Sequence, residues 1–185
     1  VDGRPVSERE FAALLERILP LVRETDRETG DPLSYFEITT AMAFLHFAQR
    51  RVDVGVIEVG MGGRWDATNL LDSRVQVVTS VAYDHMAELG DTLEKIAWQK
   101  AGIIKDDSYV ISAVGDPGAL EVIARTCEEK RCNLKLFGRD FSLLYNVIYG
   151  VDSGKIGQAV GIRGLLREYP ELFIPLLGDH QAANA

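Results

Sequence analysis

The chain has 185 residues, of which 46% are hydrophobic and 26% charged, with a formal net charge of -8. That length and balance suit one folded domain of ordinary size and exclude an intrinsically disordered chain. The acidic excess argues against a non-specific nucleic-acid binder, which needs clustered Lys and Arg, and no apolar run approaches the roughly 18 residues of a membrane-spanning helix.

The opening Val1-Asp2-Gly3-Arg4 lacks the apolar core of a secretory signal. Cys127 and Cys132 fit no zinc or redox spacing. Two reduced thiols in a cytoplasmic protein are expected.

Ser7 is followed three residues on by Glu10, a capping-box pattern. Phe11, Leu14, Leu15, Ile18 and Leu19 then recur at helical spacing. The helix is expected to end near Thr25, with a bend at Pro20, before a loop at residues 29–32. Ser34 and Glu37 repeat the capping pattern for a second helix, whose apolar face would hold Ile38, Ala41, Met42, Leu45 and Ala48. His46, alone in that helix, reads as structural.

Residues 52–59, VDVGVIEV, are β-branched and mostly apolar, as in a strand covered on both faces. Strands at 75–81, 109–113 and 134–137 alternate with helices at 92–100 and 116–130. This alternation predicts an α/β fold: a mostly parallel sheet flanked by helices. After Gly138 the pattern changes. Segments 141–149, 159–165 and 172–177 read as strands without helices between them, an antiparallel β appendage toward the C-terminus. The body would span about 1–138 and the appendage about 139–177.

Open α/β sheets bind ligands at the carboxyl ends of their strands. Three features fall there. Glu58 closes the first apolar run, where a carboxylate is a natural magnesium ligand beside a nucleotide, and Gly60, Gly62 and Gly63 let backbone approach a ligand closely. Taken alone, a strand followed by a glycine turn is commonplace. Asp84-His85 follows the 75–81 strand, and imidazole can bind a metal or hold a phosphate oxygen. Lys100 sits near a helix end, where a lone lysine is ordinarily a solvated charge. Together these residues are expected to converge on one sheet edge, with Asp66-Ala67-Thr68-Asn69 adding polar groups. No GxxxxGK[ST] phosphate loop occurs in the sequence.

Three long runs, IEVGMGGRWDATN, TSVAYDHMAELGDTLEKIAWQKAGIIK and LLGDHQAANA, resemble the folylpolyglutamate and dihydrofolate synthases, relatives of the Mur ligases. The likeness is collinear over nearly the whole chain. It implies an internal piece of an ATP-binding domain related to the phosphate-loop NTPases. The phosphate loop would lie before Val1, the C-terminal ligase domain would lie beyond Ala185, and the isolated piece would be inactive.

The resemblance also implies an ATP-dependent ligase that adds L-glutamate to a folate or dihydropteroate carboxylate through an acyl phosphate. Glu58 would be a magnesium ligand, and His85 would serve a second magnesium near the transferred phosphate. Lys100 would be carbamylated, which replaces an ammonium with an anionic oxygen donor suited to a hard cation. Gly60, Gly62, Gly63 and Asn69 would contribute to nucleotide binding, and His180, Gln181 and Asn184 would lie near adenine. The SxFE segment from Ser34 to Glu37 reads as structural. Tyr83, Met86 and Gln99 depart from the usual pattern, which bears on substrate preference rather than reaction class.

Two alternatives stay open: a Mur- or cyanophycin-type amide ligase, and a non-catalytic binding module without a phosphate loop. Loss of a neighbouring strand would leave an apolar sheet edge, so self-association is expected as well.

Overall fold

A computed structural model describes residues 1–149 and 156–184. The chain divides into two compact units, Val1–Leu71 and Asp72–Ala185.

In the first unit two helices pack on each other. Helix α1 (Glu8–Thr29) starts at Ser7 and helix α2 (Tyr35–Arg50) at Ser34, each with a complete capping box. The Glu10 amide donates to Ser7 Oγ at 3.3 Å, and the Ser7 amide donates back to Glu10 Oε2 at 3.1 Å. At Ser34 the reciprocal distances are 3.2 and 2.8 Å. The Ser34 hydroxyl and amide hold the Glu37 carboxyl below the usual carboxylate range. Such caps are worth about 1 kcal/mol each.

Helix α1 continues through Pro20 and past Thr25 to Thr29. Gly30 stops it, in the left-handed conformation at φ 68°, with its amide on Asp26 O. Asp26 Oδ1 then accepts the Leu33 amide at 2.8 Å and ties down the connection. Leu14, Ile18, Val22 and Met42 form the buried core, with Ile38 and Leu45 beside them. Ala41 and Ala48, expected on this face, are exposed, as is Phe11. In α2, Thr40 and Met42 are buried and residues 43–47 half-buried.

The strand expected at residues 52–59 does not form. Val54 is 81% exposed and Val56 93%. A strand is stabilised by its ladder partner rather than by its own β propensity, and no described strand pairs with this segment.

The second unit begins with three parallel strands, β1 (Val75–Val78), β2 (Tyr109–Ser112) and β3 (Asn133–Leu136), in that order. Val75 pairs with Tyr109, and Tyr109 with Asn133. A short helix α3 (Met86–Leu89) and helix α4 (Leu93–Ala101) connect β1 to β2, and helix α5 (Pro117–Glu129) connects β2 to β3. Thr92 and Asp116 cap α4 and α5 through the Lys95 and Ala119 amides.

Val78, Ala97, Ile104, Val110, Ala119 and Ile123 pack into the core between the sheet and the two longer helices. Alternation along the strands leaves Val75, Val77 and Tyr109 on the other face, each 56% exposed. Burial pushes the Cys127 thiol up to about 12. Both cysteines are free.

A buried polar network closes the amino ends of these strands. The Ser108 hydroxyl donates to Gln76 Oε1 at 2.6 Å, and Gln76 Nε2 donates to Ser73 Oγ at 2.8 Å. Gln76 and Ser108 are 3% and 5% exposed, so their mutual pairing avoids the cost of unsatisfied buried groups.

After a turn in which Asp140 Oδ2 accepts the Leu136 amide at 2.8 Å, the chain enters a separate antiparallel sheet. Its strands β4 (Ser142–Tyr149), β5 (Gly157–Arg163) and β6 (Glu168–Ile174) lie in chain order, with β5 central. A Cβ on Gly157 would lie 2.5 Å from the Ile174 carbonyl, so only glycine fits there. A last helix α6 (Asp179–Asn184) follows. The expected fold class, a parallel sheet flanked by helices plus an antiparallel appendage, is therefore the one observed.

Ile123→Ala should cost about 2–5 kcal/mol in urea unfolding, whereas Val56→Thr should change stability by less than about 0.5 kcal/mol. Equal losses would mean that residues 52–59 are covered in solution.

Candidate functional site

The parallel sheet of the second unit sends the chain out of β1, β2 and β3 on the same edge. Beyond β1, the loop reaches Asp84 and His85. His85 is the residue before α3, and its backbone is left-handed, φ 45° and ψ 44°. The Asp84 carboxylate accepts the His85 amide at 2.9 Å and lies 3.7 Å from His85 Nε2. The His85 side chain remains 56% exposed. A non-glycine residue in this region costs on the order of 1–3 kcal/mol, and such strain concentrates at functional positions.

Lys100 lies half-buried in the last turn of α4, in the same unit. Its carbonyl accepts the Ile103 amide at 3.3 Å, part of the tight turn that ends the helix.

Helix α6 carries His180, Gln181 and Asn184. Ala182 is its buried anchor at 1% exposure, while His180 and Asn184 are exposed. A cavity of about 200 Å³ joins this helix to the sheet edge. Val77 and Thr79 line it from β1 and just beyond, Ile111 and Ala113 from β2 and just beyond, and Phe137 from beyond β3, with Asn184 among the α6 residues. The structure thus brings the motif at residues 178–184 to the carboxyl ends of the parallel strands.

Two polar residues that the sequence reading passed over hold this helix. Gln158 on β5 donates to the carbonyls of Leu176 and Gly178 at 2.7 and 3.0 Å. Asn146 on β4 donates to Asp179 Oδ1 at 3.1 Å. The available signal was a glutamine inside an otherwise apolar and glycine-rich strand.

The first unit holds the remaining candidates. Glu58 is exposed, in the segment that forms no strand. A Cβ on Gly60 would fall 2.5 Å from the Phe36 ring, so this glycine admits the ring of the SxFE segment. Gly62 and Gly63 adopt φ 67° and 144°, conformations that favour glycine. Asp66 closes the turn: Oδ2 accepts the Met61 amide at 2.9 Å and Oδ1 accepts the Thr68 amide at 2.9 Å. Asn69 Nδ2 donates to the Arg64 carbonyl at 3.0 Å. These polar groups brace their own turn. Among the described residues, no three His, Cys, Asp or Glu side chains gather as a metal cage.

Residues 22–185 match the Mur ligase middle domain. A dihydrofolate synthase/folylpolyglutamate synthase of Bacillus subtilis is 38% identical over all of this chain and 42% of its own length. The solved Mycobacterium tuberculosis folylpolyglutamate synthase, in complex with ADP and AMPPCP, superposes with a TM-score of 0.90 at 37% identity, covering 99% of this chain and 42% of that one. A solved FPGS–AMPPCP–folate complex gives a TM-score of 0.90 at 34% identity, covering 99% of this chain and 44% of that one. The chain therefore spans less than half the length of these relatives. The resemblance read from the motifs holds over the whole chain.

The left-handed backbone at His85 has a measurable consequence. His85→Gly should be neutral or stabilising by about 0.5 kcal/mol in thermal unfolding, while His85→Val should cost about 1–2 kcal/mol. Indistinguishable midpoints for the two variants would show that the position is unstrained.

Proposed function

The chain belongs to the Mur ligase middle-domain family, and from that premise we propose that it is the ATP-binding part of a ligase joining L-glutamate to the carboxylate of a folate or dihydropteroate. One observation carries the reading: α6, with Asn184, borders the cavity at the carboxyl edge of the parallel sheet, where α/β sheets bind ligands. A carboxamide offers a donor and an acceptor side by side and so matches the edge of adenine. The apolar lining from Val77, Ile111 and Phe137 suits the faces of a heterocycle. The solved relatives in complex with AMPPCP, ADP and folate support the same ligands.

The chemistry follows from the weakness of a carboxylate as an electrophile. Transfer of the terminal phosphoryl group of ATP gives an acyl phosphate and ADP. The amine of glutamate then attacks the acyl carbon and phosphate leaves. The protein's share is positioning and charge stabilisation. His85, exposed and set by its strained backbone, would face the phosphates. Lys100, once carbamylated, would offer an anionic oxygen, and Glu58 a carboxylate. Magnesium, when bound, would offset the charge on phosphate oxygens. His180 and Gln181 would flank the adenine with Asn184. The family resemblance assigns Gly60, Gly62, Gly63 and Asn69 to nucleotide binding as well.

No helix among the described residues is long and apolar enough to cross a membrane. The two free thiols favour a reducing compartment such as the cytoplasm. Among the described residues no strand pairs with the outer edge of β1, and with the exposed Val75 and Val77 this supports self-association of the isolated chain. Sedimentation should show a concentration-dependent species larger than a monomer; a monomer at every concentration would contradict it.

The functional reading predicts glutamate-dependent ADP release with dihydropteroate or tetrahydrofolate from the complete product of the gene, and none from this chain alone. The pterin that supports turnover names the branch. Release with neither would overturn the reading, and release with a UDP-sugar peptide instead would favour the Mur-type alternative.

A further inference from the structure

Gln158 lies on the central strand of the antiparallel sheet and is only 1% exposed. An amide buried without partners costs about 1–3 kcal/mol, so its partners show what the burial is for. Both bonds from its Nε2 reach across to the segment that leads into α6, at Leu176 O and Gly178 O. The Gly178 carbonyl also accepts the amides of Gln181 and Ala182, at 3.0 and 3.4 Å, which are the first bonds of that helix. Gln158 therefore grips the carbonyl on which α6 is built.

A second contact comes from the neighbouring strand. Asn146 is paired in register with Val160 on β5, and its Nδ2 reaches Asp179 Oδ1 at 3.1 Å. Gly178 completes the turn at φ 116°, with space so limited that a Cβ would meet the His180 ring at 2.6 Å. A helix of six residues cannot hold its own conformation in water. Its position is set by what anchors it: Ala182 beneath, and these two carboxamides at its start.

We propose that Gln158, assisted by Asn146, is a positioning residue for nucleotide recognition. It fixes the start of α6, and so the place that His180, Gln181 and Asn184 occupy beside the cavity. Its effect should fall on affinity for ATP rather than on the chemical step. The proposal rests on the reading that α6 borders the nucleotide site.

Gln158→Met keeps the side-chain length and removes the donor, and Gln158→Glu replaces the donor with a carboxyl that donates only when protonated. Both variants are tested in the complete product of the gene, by hydrogen exchange at residues 178–184 and by KM for ATP and for the pterin. In Gln158→Met, exchange at 178–184 should accelerate while β4–β6 keep their protection. KM for ATP should rise about tenfold, with kcat and the pterin KM changed less than about twofold. In Gln158→Glu, protection of α6 should recover as pH falls and the new carboxyl gains its proton.

Unchanged exchange at 178–184, or loss of protection across the whole sheet, would overturn the positioning role. Equal changes in both KM values would overturn the specific link to ATP. A wild-type protein that does not bind ADP would remove the nucleotide reading itself, and the exchange data would still decide whether Gln158 governs α6.

Discussion

The parallel pairing of β1, β2 and β3 is the constraint on which the second unit depends. Parallel neighbours cannot be joined by tight turns, so each link must cross over a face of the sheet. Here those links are α3 with α4, and α5, and they supply the core residues Ala97, Ala101, Ala119 and Ile123. The same geometry sends all three strands out on one edge. The amino edge is sealed by the Gln76–Ser108–Ser73 network. The carboxyl edge instead carries an apolar cavity bordered by Asn184, with the strained His85 in the loop beyond β1. The division is physical: satisfied polar groups close one end, and exposed or strained ones occupy the other.

The antiparallel sheet extends that logic. It contributes a platform. Leu143 and Ile162 line the cavity from its strands, and Gln158 and Asn146 hold the start of α6. A short helix that presents recognition groups gains precision only when a rigid element fixes it. In the first unit the glycine turn follows a comparable principle, because Asp66 and Asn69 are committed to its backbone and Gly60 yields its side-chain space to Phe36.

Much of this was legible in the sequence where a local rule sufficed. Ser7 with Glu10 and Ser34 with Glu37 announced two helix starts, because a capping box is a contact between residues three apart. The apolar runs that became β1, β2 and β3, and the alternation with helices, gave the fold class. Residues 52–59 misled because an apolar, β-branched run states a propensity, whereas a strand requires a partner. The continuation of α1 to Thr29 was hidden because it depends on the left-handed Gly30 and on Asp26. Helix α6 was illegible because six residues are too few to establish a period. Gln158 falls just before the strand expected at 159–165, and only the tertiary fold brings Leu176 and Gly178 to its amide. Among the candidate site residues, His85 and Asn184 were found at the carboxyl edge; the role of Gln158 required the structure.

The central claim is that the carboxyl edge of the parallel sheet, together with α6, receives the nucleotide. Titration of the isotopically labelled complete product of the gene with AMPPCP and magnesium, followed by amide chemical shifts, tests it most directly. The account predicts saturable changes at residues 79–90 and 178–184, with residues 105–109 and 130–133 at the amino edge unaffected. Changes confined to the amino edge, or no saturable change in either region, would contradict it.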